Sequence, residues 1–330
     1  MFCKPRSSGY RGLLMSRDVD WLAGCGLLCM ALSACGGGGG GDAAFIPQPP
    51  IQPPPPGPSV AIFSNPQVGE FASVGASAKV SSVIDPKAAV GPISVADADQ
   101  PHIRYTSAGT YEIEMPGGVW SQLTFYGQGT DDGAVLNNGN DSGGIFLFTS
   151  GSKDHGYKYS ELASYMSADT GGIGGFAFGT LTPAGAVPTT GSATFSGIIA
   201  GTTDVVGSDP FDGPIREDAS GSVTLNFDFG AGSLDGSMNL VLSARDGSTV
   251  PIGTFNFTDT VFGVGSTGYS GKFDTAAAGN NFFLGKFTGP QAQETIGAWA
   301  LPFILDVGSN TVAADHKAHQ AFGGWIAKGP

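Results

Sequence analysis

Apolar and polar residues alternate along much of the chain, which is the pattern of half-buried β-strands. The alternation is clearest in the segments 111–115, 222–229, 238–242, 269–273 and 283–287. Turn-forming residues such as Asp246-Gly247 lie between these segments. No long stretch has a clean 3.6-residue period, although Ser160 to Asp169 allows a short helix. The sequence therefore predicts an all-β protein with an antiparallel barrel or sandwich.

A second hydrophobic pattern lies near the N-terminus. The apolar stretch from Trp21 to Ala34 ends in small residues directly before Cys35. It is shorter than the roughly 20 apolar residues that a membrane-spanning helix needs. A hydrophobic region followed by small residues and a cysteine is typical of a bacterial lipoprotein signal. We therefore predict that residues 1–34 are a signal peptide and that acyl chains on Cys35 anchor the protein.

The composition after Cys35 divides the chain further. Residues 35–58 are rich in glycine and then proline, which predicts a disordered tether with an extended polyproline part. A cluster of proline and glycine near residues 182–191 separates two regions with strand patterns. We therefore expect an N-terminal β-domain at 59–188 and a second β-domain at 189–330.

Charge and cysteine content exclude several functions. The net charge is −13, and removal of the signal, whose charged residues are mostly basic, leaves the chain more acidic still. An acidic surface repels phosphate backbones, so we expect no nucleic-acid partner. All four cysteines lie at or before Cys35, so the mature fold has none for a disulfide, a thiolate metal site or a thiol nucleophile.

One segment carries a family resemblance. Residues 283–299 read Phe-Leu-Gly-Lys-Phe-Thr-Gly-Pro-Gln-Ala-Gln-Glu-Thr-Ile-Gly-Ala-Trp. This resembles the G-x-F-[YF]-G-P-x-A-x-E-x-G-G-x-[FW] signature of the barrel lobe of transferrin-binding protein B and its relatives, including factor H binding protein. Segments 188–197, 223–236, 269–273 and 323–328 resemble other strands of that barrel, in order, and residues 100–187 resemble its companion β-region. Thr288 stands where the family usually has an aromatic residue or glycine beside the Gly-Pro.

The resemblance implies a fold, a location and partners. The fold is a C-terminal eight-stranded antiparallel β-barrel preceded by a handle-like β-sheet, in a single lobe where transferrin-binding protein B has two. The location is the surface of the bacterial outer membrane, reached through a surface-lipoprotein translocator. The implied ligand is a host protein, haem or another iron source. The implied recipient of that ligand is an outer-membrane transporter.

The glycines, the proline and the glutamate of the signature have a structural interpretation. Gly285 and Gly289 are expected to permit close backbone approach and a positive φ at the end of a strand, and Gly297 is a further structural residue of the motif. Pro290 fixes the following turn. Glu294 is expected to cap backbone donors within that turn. Punctuation of this kind usually marks a turn, so we favour this structural role over ligand binding by the motif.

Other candidate chemistry is sparse. His316 and His319 could bind a metal or haem if their segment were helical, but two imidazoles without further ligands rarely form a site, so we favour a polar loop. Gly263-x-Gly265-x-x-Gly268 matches a dinucleotide fingerprint only formally, because a strand pattern follows it. Residues 137–144 resemble a calcium loop, but Thr149 stands where an EF-hand needs an acidic residue.

The sequence therefore predicts a binding protein rather than an enzyme. It contains no G-x-S-x-G elbow, no H-E-x-x-H motif and no cysteine nucleophile in the mature part. We expect a surface lipoprotein that binds an external ligand through barrel loops, with residues 131–144 and 308–322 as candidates. The alternative is an adhesin, an immune-shielding protein or a structural envelope component without small-molecule cargo.

Overall fold

A computed structural model describes residues 62–63, 65–83, 85–96, 99–126, 133–136, 144–147, 156–168, 170–209, 213–243, 248–309 and 312–330. Seventeen β-strands and no α-helix lie in these ranges, which confirms the all-β prediction. Among the same residues, no helix could span a membrane. Cys35, the predicted signal and the predicted tether lie outside the described residues.

The first nine strands form one antiparallel sheet. They are β1 (Gly69–Glu70), β2 (Ala72–Lys79), β3 (His102–Tyr105), β4 (Tyr111–Glu114), β5 (Trp120–Tyr126), β6 (Gly133–Leu136), β7 (Gly144–Leu147), β8 (Ser160–Ser167) and β9 (Gly172–Gly179). Their order in the sheet is β1-β3-β4-β5-β6-β7-β8-β9-β2. The strands β1 and β2, which are adjacent in sequence, therefore lie at opposite edges.

The next eight strands form a closed antiparallel barrel. They are β10 (Ser192–Asp209), β11 (Gly213–Asp228), β12 (Ser233–Ser243), β13 (Thr249–Val261), β14 (Gly268–Phe273), β15 (Phe282–Thr288), β16 (Glu294–Ile304) and β17 (Ala318–Lys328). Each strand pairs with the next, and β17 pairs back to β10. The eight-stranded barrel and the preceding sheet are as expected from the sequence.

The alternating residues of the sequence fill the barrel. Val223, Leu225 and Phe227 of β11 and Met238 and Leu240 of β12 are all buried in one core cluster. The polar residues between them point outwards, because successive side chains of a strand face opposite sides. The strand that follows the formal dinucleotide fingerprint is β14, so that glycine pattern lies in a β-turn connection.

The sheet packs against the outer wall of the barrel. Ten of the eleven residues of β16 are buried, as are all eight residues of β9, because both faces of these strands are covered. Two apolar clusters fill the space between sheet and barrel; one contains Val74, Leu162, Ile296 and Ile326. The sheet and the barrel belong to one compact unit, Gln52–Pro330. The domain boundary predicted at residues 188 and 189 falls between β9 and β10.

Glycines allow the two layers to approach closely. A Cβ atom on Gly175 of β9 would lie 2.4 Å from the carbonyl oxygen of Ala200 and 2.9 Å from the Cα atom of Gly323. A Cβ atom on Gly324 of β17 would lie 2.9 Å from the carbonyl carbon of Phe176. Side chains at these positions would push the sheet away from the barrel wall.

The helix expected around residues 160–169 is wrong, because Ser160–Ser167 forms the strand β8. Both faces of this strand are covered, so its buried residues occupy consecutive positions such as Leu162 and Ala163. Such a run has no period of two, which is why sequence periodicity does not separate it from a helix.

Candidate functional site

Apolar side chains from the described parts of the connections join the barrel core at both ends. Antiparallel connections place the turns after β11, β13 and β15 at one end, where Phe229, Phe262 and Ala292 join the core. At the other end, which we call the rim, lie the connections after β10, β12, β14 and β16. Leu305 and Val312 of the β16–β17 connection are 2% exposed and join the core there. Buried side chains fill the core of the barrel, which leaves its loops and outer surface for contact with a large ligand.

The signature segment, residues 283–299, lies where the sheet meets the barrel. The carboxylate of Glu294 accepts a hydrogen bond from the Lys158 amide at 2.7 Å and another from the Tyr159 amide at 2.9 Å. Burial raises the pKa of this carboxyl, and the two amides act against the rise. The donors expected within the β15–β16 turn thus lie instead in the segment that leads into β8.

Further hydrogen bonds strengthen this joint between sheet and barrel. The hydroxyl groups of Ser160 and Thr288 are buried and lie 2.6 Å apart, within hydrogen-bond distance. Thr182 donates its hydroxyl to the carbonyl of Gly289 at 2.8 Å. Thr288, the departure from the family signature, therefore has a polar partner across the joint.

The glycines and the proline of the signature act through shape. Gly289 has a φ of 82°, a conformation that favours glycine, and Pro290 follows it in the turn. The positive φ expected at Gly285 is wrong, because this residue is paired within β15. Close approach explains its glycine instead, since a Cβ atom there would lie 2.3 Å from the ring of Tyr269. A Cβ atom on Gly297 would lie 2.3 Å from the ring of Trp325. These residues shape the barrel wall and the joint.

The two candidate histidines lie at the rim but have separate partners. His316 is in the β16–β17 connection, where its Nδ1 lies 2.9 Å from Asp306 Oδ1. His316 thus lies in the expected polar loop, but the loop is wrong for His319, which is the second residue of β17. The ring of His319 contacts Asp204 and Asp315. Within the described residues no group of three or more histidine, cysteine or acidic side chains could hold a metal ion. The structure therefore does not bring the two histidines to a common centre.

Hydrogen bonds hold the β16–β17 connection in place. The amides of Leu305 and Lys317 lie at its two ends, and the Leu305 amide donates to the Lys317 carbonyl at 3.1 Å. The amide of His316 donates back to the Leu305 carbonyl, also at 3.1 Å. His316 has a φ of 56°, in the left-handed region that non-glycine residues rarely adopt. The described part of the connection is therefore a defined surface.

This surface combines acidic and apolar groups. Ile304 is 37% exposed and Val307 is 48% exposed, and Asp306 lies between them in the sequence. Asp204 and Asp315 add two carboxylates nearby through His319. Exposed apolar side chains among charged groups are a common composition for a protein-contact surface.

Some of the predicted site lies outside the described residues. The candidate loop 131–144 is described only within β6 and at the first residue of β7, and the acyl-anchor residue Cys35 is not among the described residues. Sequence reasoning missed Asp204, Lys158 and Tyr159. Their partners lie 115 to 136 residues away along the chain, so no local spacing indicated these contacts.

Comparison with known proteins gives similar structures at low identity. No known family model matches the sequence, and no curated protein matches it. A transferrin-binding protein B (TbpB) of Haemophilus parasuis is 15% identical with a TM-score of 0.42, over 79% of this chain and 45% of that chain. The TbpB of Neisseria meningitidis is 13% identical with a TM-score of 0.34, over 78% of this chain and 44% of that chain.

A third similar structure is close to this chain in length. The haemoglobin receptor HpuA of Kingella denitrificans is 12% identical with a TM-score of 0.40, over 82% of this chain and 89% of that chain. This chain thus spans less than half of the TbpB chains. All these TM-scores are below 0.5, so the interpretation of the site rests on this chain's own residues. The chain is similar to TbpB and HpuA structures, the family that the signature segment resembles.

Proposed function

We propose that the protein is a surface lipoprotein of the outer membrane that binds an external ligand at the rim, and that it is not an enzyme. The observation that supports this most is the defined β16–β17 connection on a closed, filled barrel. Binding residues commonly lie on loops that a rigid scaffold positions. Acyl chains on Cys35 are the proposed anchor to the outer membrane.

The charge of the chain favours one kind of ligand. The net charge is −13, and at the rim the carboxylates of Asp204 and Asp315 lie beside the basic groups of Arg216 and Lys317. Complementary charge increases the rate of association and disfavours partners of like charge. A host protein with a basic surface therefore fits this acidic chain better than haem, which carries carboxylates, and haem or another iron source is a second ligand within the proposal. An outer-membrane transporter would be the recipient, and a surface-lipoprotein translocator would export the protein.

A capture experiment tests the ligand proposal. The full-length protein is immobilised and incubated with host serum, with purified transferrin or haemoglobin, and with haem. The test variant carries Ile304→Lys and Val307→Lys at the rim, which remove the apolar contacts and repel a basic ligand. The control is Val261→Lys, because Val261 is 66% exposed at the opposite end of the barrel.

The outcomes separate the two functional classes. We expect the wild type and the Val261 variant to capture a protein and the rim variant to lose at least tenfold in affinity, about 1.4 kcal/mol. Equal capture by all three proteins would place binding elsewhere. No specific capture from any source would favour the adhesin, shielding or structural alternative.

The proposed anchor has its own test. Cys35→Ala removes the thiol that would be acylated, so we expect the variant to leave the membrane fraction and the detergent phase. Unchanged partition into detergent would contradict the lipid anchor without affecting the ligand proposal.

A further inference from the structure

The ladder between β2 and β9 ends where the two chains separate. Its last pair is Ala72 with Gly179. Before β2, the Phe71 amide donates to the Ile103 carbonyl at 2.9 Å, so this segment turns towards β3. After β9, the chain turns towards the end of β15 in the barrel. The two chains therefore diverge beside the joint.

The divergence leaves a groove between the two chains. Its volume is about 510 Å³, and residues 67–72 and 179–181 line it. Val68 is 65% exposed and Leu181 is 41% exposed, so each side of the groove presents an apolar side chain. The hydroxyl of Thr180, which also lines the groove, is buried and has no hydrogen-bond partner among the described residues. An unpaired buried hydroxyl is unfavourable, so the groove favours an occupant with polar backbone groups.

The backbone of Leu181 faces the groove. The Gly289 amide donates to the Thr180 carbonyl at 2.9 Å. The Thr182 amide donates to the Phe287 carbonyl, also at 2.9 Å. Adjacent residues of a strand direct their N–H and C=O groups to opposite sides. Since Thr180 and Thr182 bond towards β15, the N–H and C=O groups of Leu181 point the other way, into the groove, and neither is bonded among the described residues.

Glu70 faces the groove from the other side. It lies opposite Arg104 in the pairing of β1 with β3, but the amide of the next residue, Phe71, already bonds towards β3. The N–H and C=O groups of Glu70 therefore point away from β3, in the direction that Ala72 takes towards β9. In the register of the β2–β9 ladder, Glu70 and Leu181 would form the next bonded pair if the chains had not separated.

An open ladder of this kind accepts a further strand. Extended peptides bind to open sheet edges through backbone hydrogen bonds, and pockets for alternate side chains give specificity. A strand in the groove would meet the backbone groups of Leu181 and Glu70 and place alternate side chains against Val68. We infer that the groove is a docking site for an extended segment of a partner protein, apolar at alternate positions and basic at its ends.

The chain's own tether is a poor occupant. The predicted tether reaches the fold at Ile62, whose amide donates to the Lys158 carbonyl at 2.9 Å, beside the joint. Residues 47–58, which precede it, contain eight prolines. Proline lacks the amide donor that a paired strand needs. A strand from another protein therefore fits the open ladder better.

The charge of the chain decides the chemistry of the docking segment. The net charge is −13, and the carboxylate of Glu70, which pairs with His102 beside the groove, has a side-chain exposure of 51%. Complementary charge increases the rate of association and disfavours partners of like charge. Lysine or arginine residues at the ends of the docking segment therefore favour its binding.

The groove and the rim lie at opposite ends of the barrel. Leu181 is bridged to Thr288, the last residue of β15, whereas Ile304 ends β16 at the rim. A partner in the groove therefore leaves the rim free for another ligand. The docking site does not depend on the proposed function, so each can fail alone.

Amide hydrogen exchange of the full-length protein tests whether the ladder is open. The Leu181 amide has no bonded acceptor among the described residues, whereas the Thr180 and Thr182 amides are both bonded. After correction for intrinsic rates, we expect the Leu181 amide to exchange at least about tenfold faster than these two. An equally protected Leu181 amide would show that the chain itself or a second copy fills the groove, and would overturn the proposal.

A labelled synthetic peptide, Lys-Lys-Val-Thr-Val-Ser-Val-Thr-Lys-Lys, is the probe for docking. Fluorescence anisotropy measures its affinity for the full-length protein, and exchange of the Leu181 amide locates the binding site. One control peptide has proline in place of threonine and serine, and a second has glutamate in place of lysine. We expect the probe to protect the Leu181 amide and each control peptide to bind at least about tenfold more weakly.

Two variants change the groove without touching a described hydrogen bond. Val68→Lys combined with Leu181→Lys removes both apolar contacts and repels a basic segment. Leu181→Pro removes the free amide donor. We expect each variant to bind the probe at least about tenfold more weakly than the wild type does. Val119→Lys is the control, because Val119 is 72% exposed on the same sheet but does not line the groove, and it should bind as the wild type.

The results either support or overturn the docking site. Urea unfolding first verifies that the lysine variant is folded. Absence of probe binding overturns the proposal, as does equal binding of the three peptides or equal binding by the wild type and the lysine variant. Probe binding in the groove together with no captured ligand at the rim would support the docking site while contradicting the proposed function.

Discussion

Glu294 offers a quantitative test of how the sheet is fixed to the barrel. Its carboxylate accepts the amides of Lys158 and Tyr159 at 2.7 and 2.9 Å and is 4% exposed. A hydrogen bond to a charged group contributes about 1.5–3 kcal/mol, and an unsatisfied buried donor costs about as much. Desolvation of the carboxylate, visible in its raised pKa, offsets part of this. We therefore expect Glu294→Ala to lower the free energy of unfolding by about 3 kcal/mol.

A second variant tests the direction in which burial shifts the pKa of Glu294. Glu294→Gln keeps one acceptor oxygen and does not titrate. Because burial raises the folded pKa of Glu294, the stabilising contribution of its protonated form is complete below the usual pKa of a glutamate and decreases as pH rises through the folded pKa. The free energy of unfolding of the wild type, minus that of Glu294→Gln, should therefore be highest near pH 4 and lower at pH 7.5.

Urea unfolding at both pH values measures these differences. Asp259→Asn is a suitable control, since Asp259 is an exposed carboxylate on the barrel that pairs with the exposed Lys272. We expect this control to change stability by less than about 0.5 kcal/mol. A Glu294→Ala variant as stable as the control would refute the role of Glu294 in the joint. A wild type that gains stability relative to Glu294→Gln as pH rises would refute the raised pKa.

Two further substitutions test the packing. Gly175→Ala would place a Cβ atom 2.4 Å from the Ala200 carbonyl oxygen, so we expect a loss of about 2–4 kcal/mol in thermal or urea unfolding. Gly263→Ala, with nothing within 4 Å, should change stability little; equal losses would contradict the close approach. Phe227→Ala removes a ring that lies 4.8–5.8 Å from five other aromatic rings, so we expect a loss of about 3–5 kcal/mol, and a loss below 1 would contradict a tightly packed core.

The sequence predicts strands with one solvent-exposed face better than strands with both faces covered. In β11 and β12 one face meets the core and the other meets water, so the apolar residues alternate. In β8, β9 and β16 both faces are covered, and the alternation disappears. The error at residues 160–169 follows directly from this difference. A strand between two layers has no polar face by which to recognise it.

The candidate site was predictable only where a contact is local. The positive φ of Gly289 and the turn at Pro290 depend on neighbouring residues, and the motif indicates both. The partners of Glu294 and of His319 come from distant strands. Their positions depend on the order of strands in the sheet and on an irregularity in β10, neither of which has a spacing signal in the sequence.

The joint and the rim are mechanically connected, because they share two strands. Glu294 begins β16 at the joint and Ile304 ends it at the rim, while Ala318 begins β17 at the rim. The sheet packs along the outer faces of the same strands. A displacement of the sheet by Gly175→Ala should therefore also increase exchange of the Leu305 amide. If this amide exchanged as in the wild type while global stability fell, the geometry of the rim would be independent of the joint.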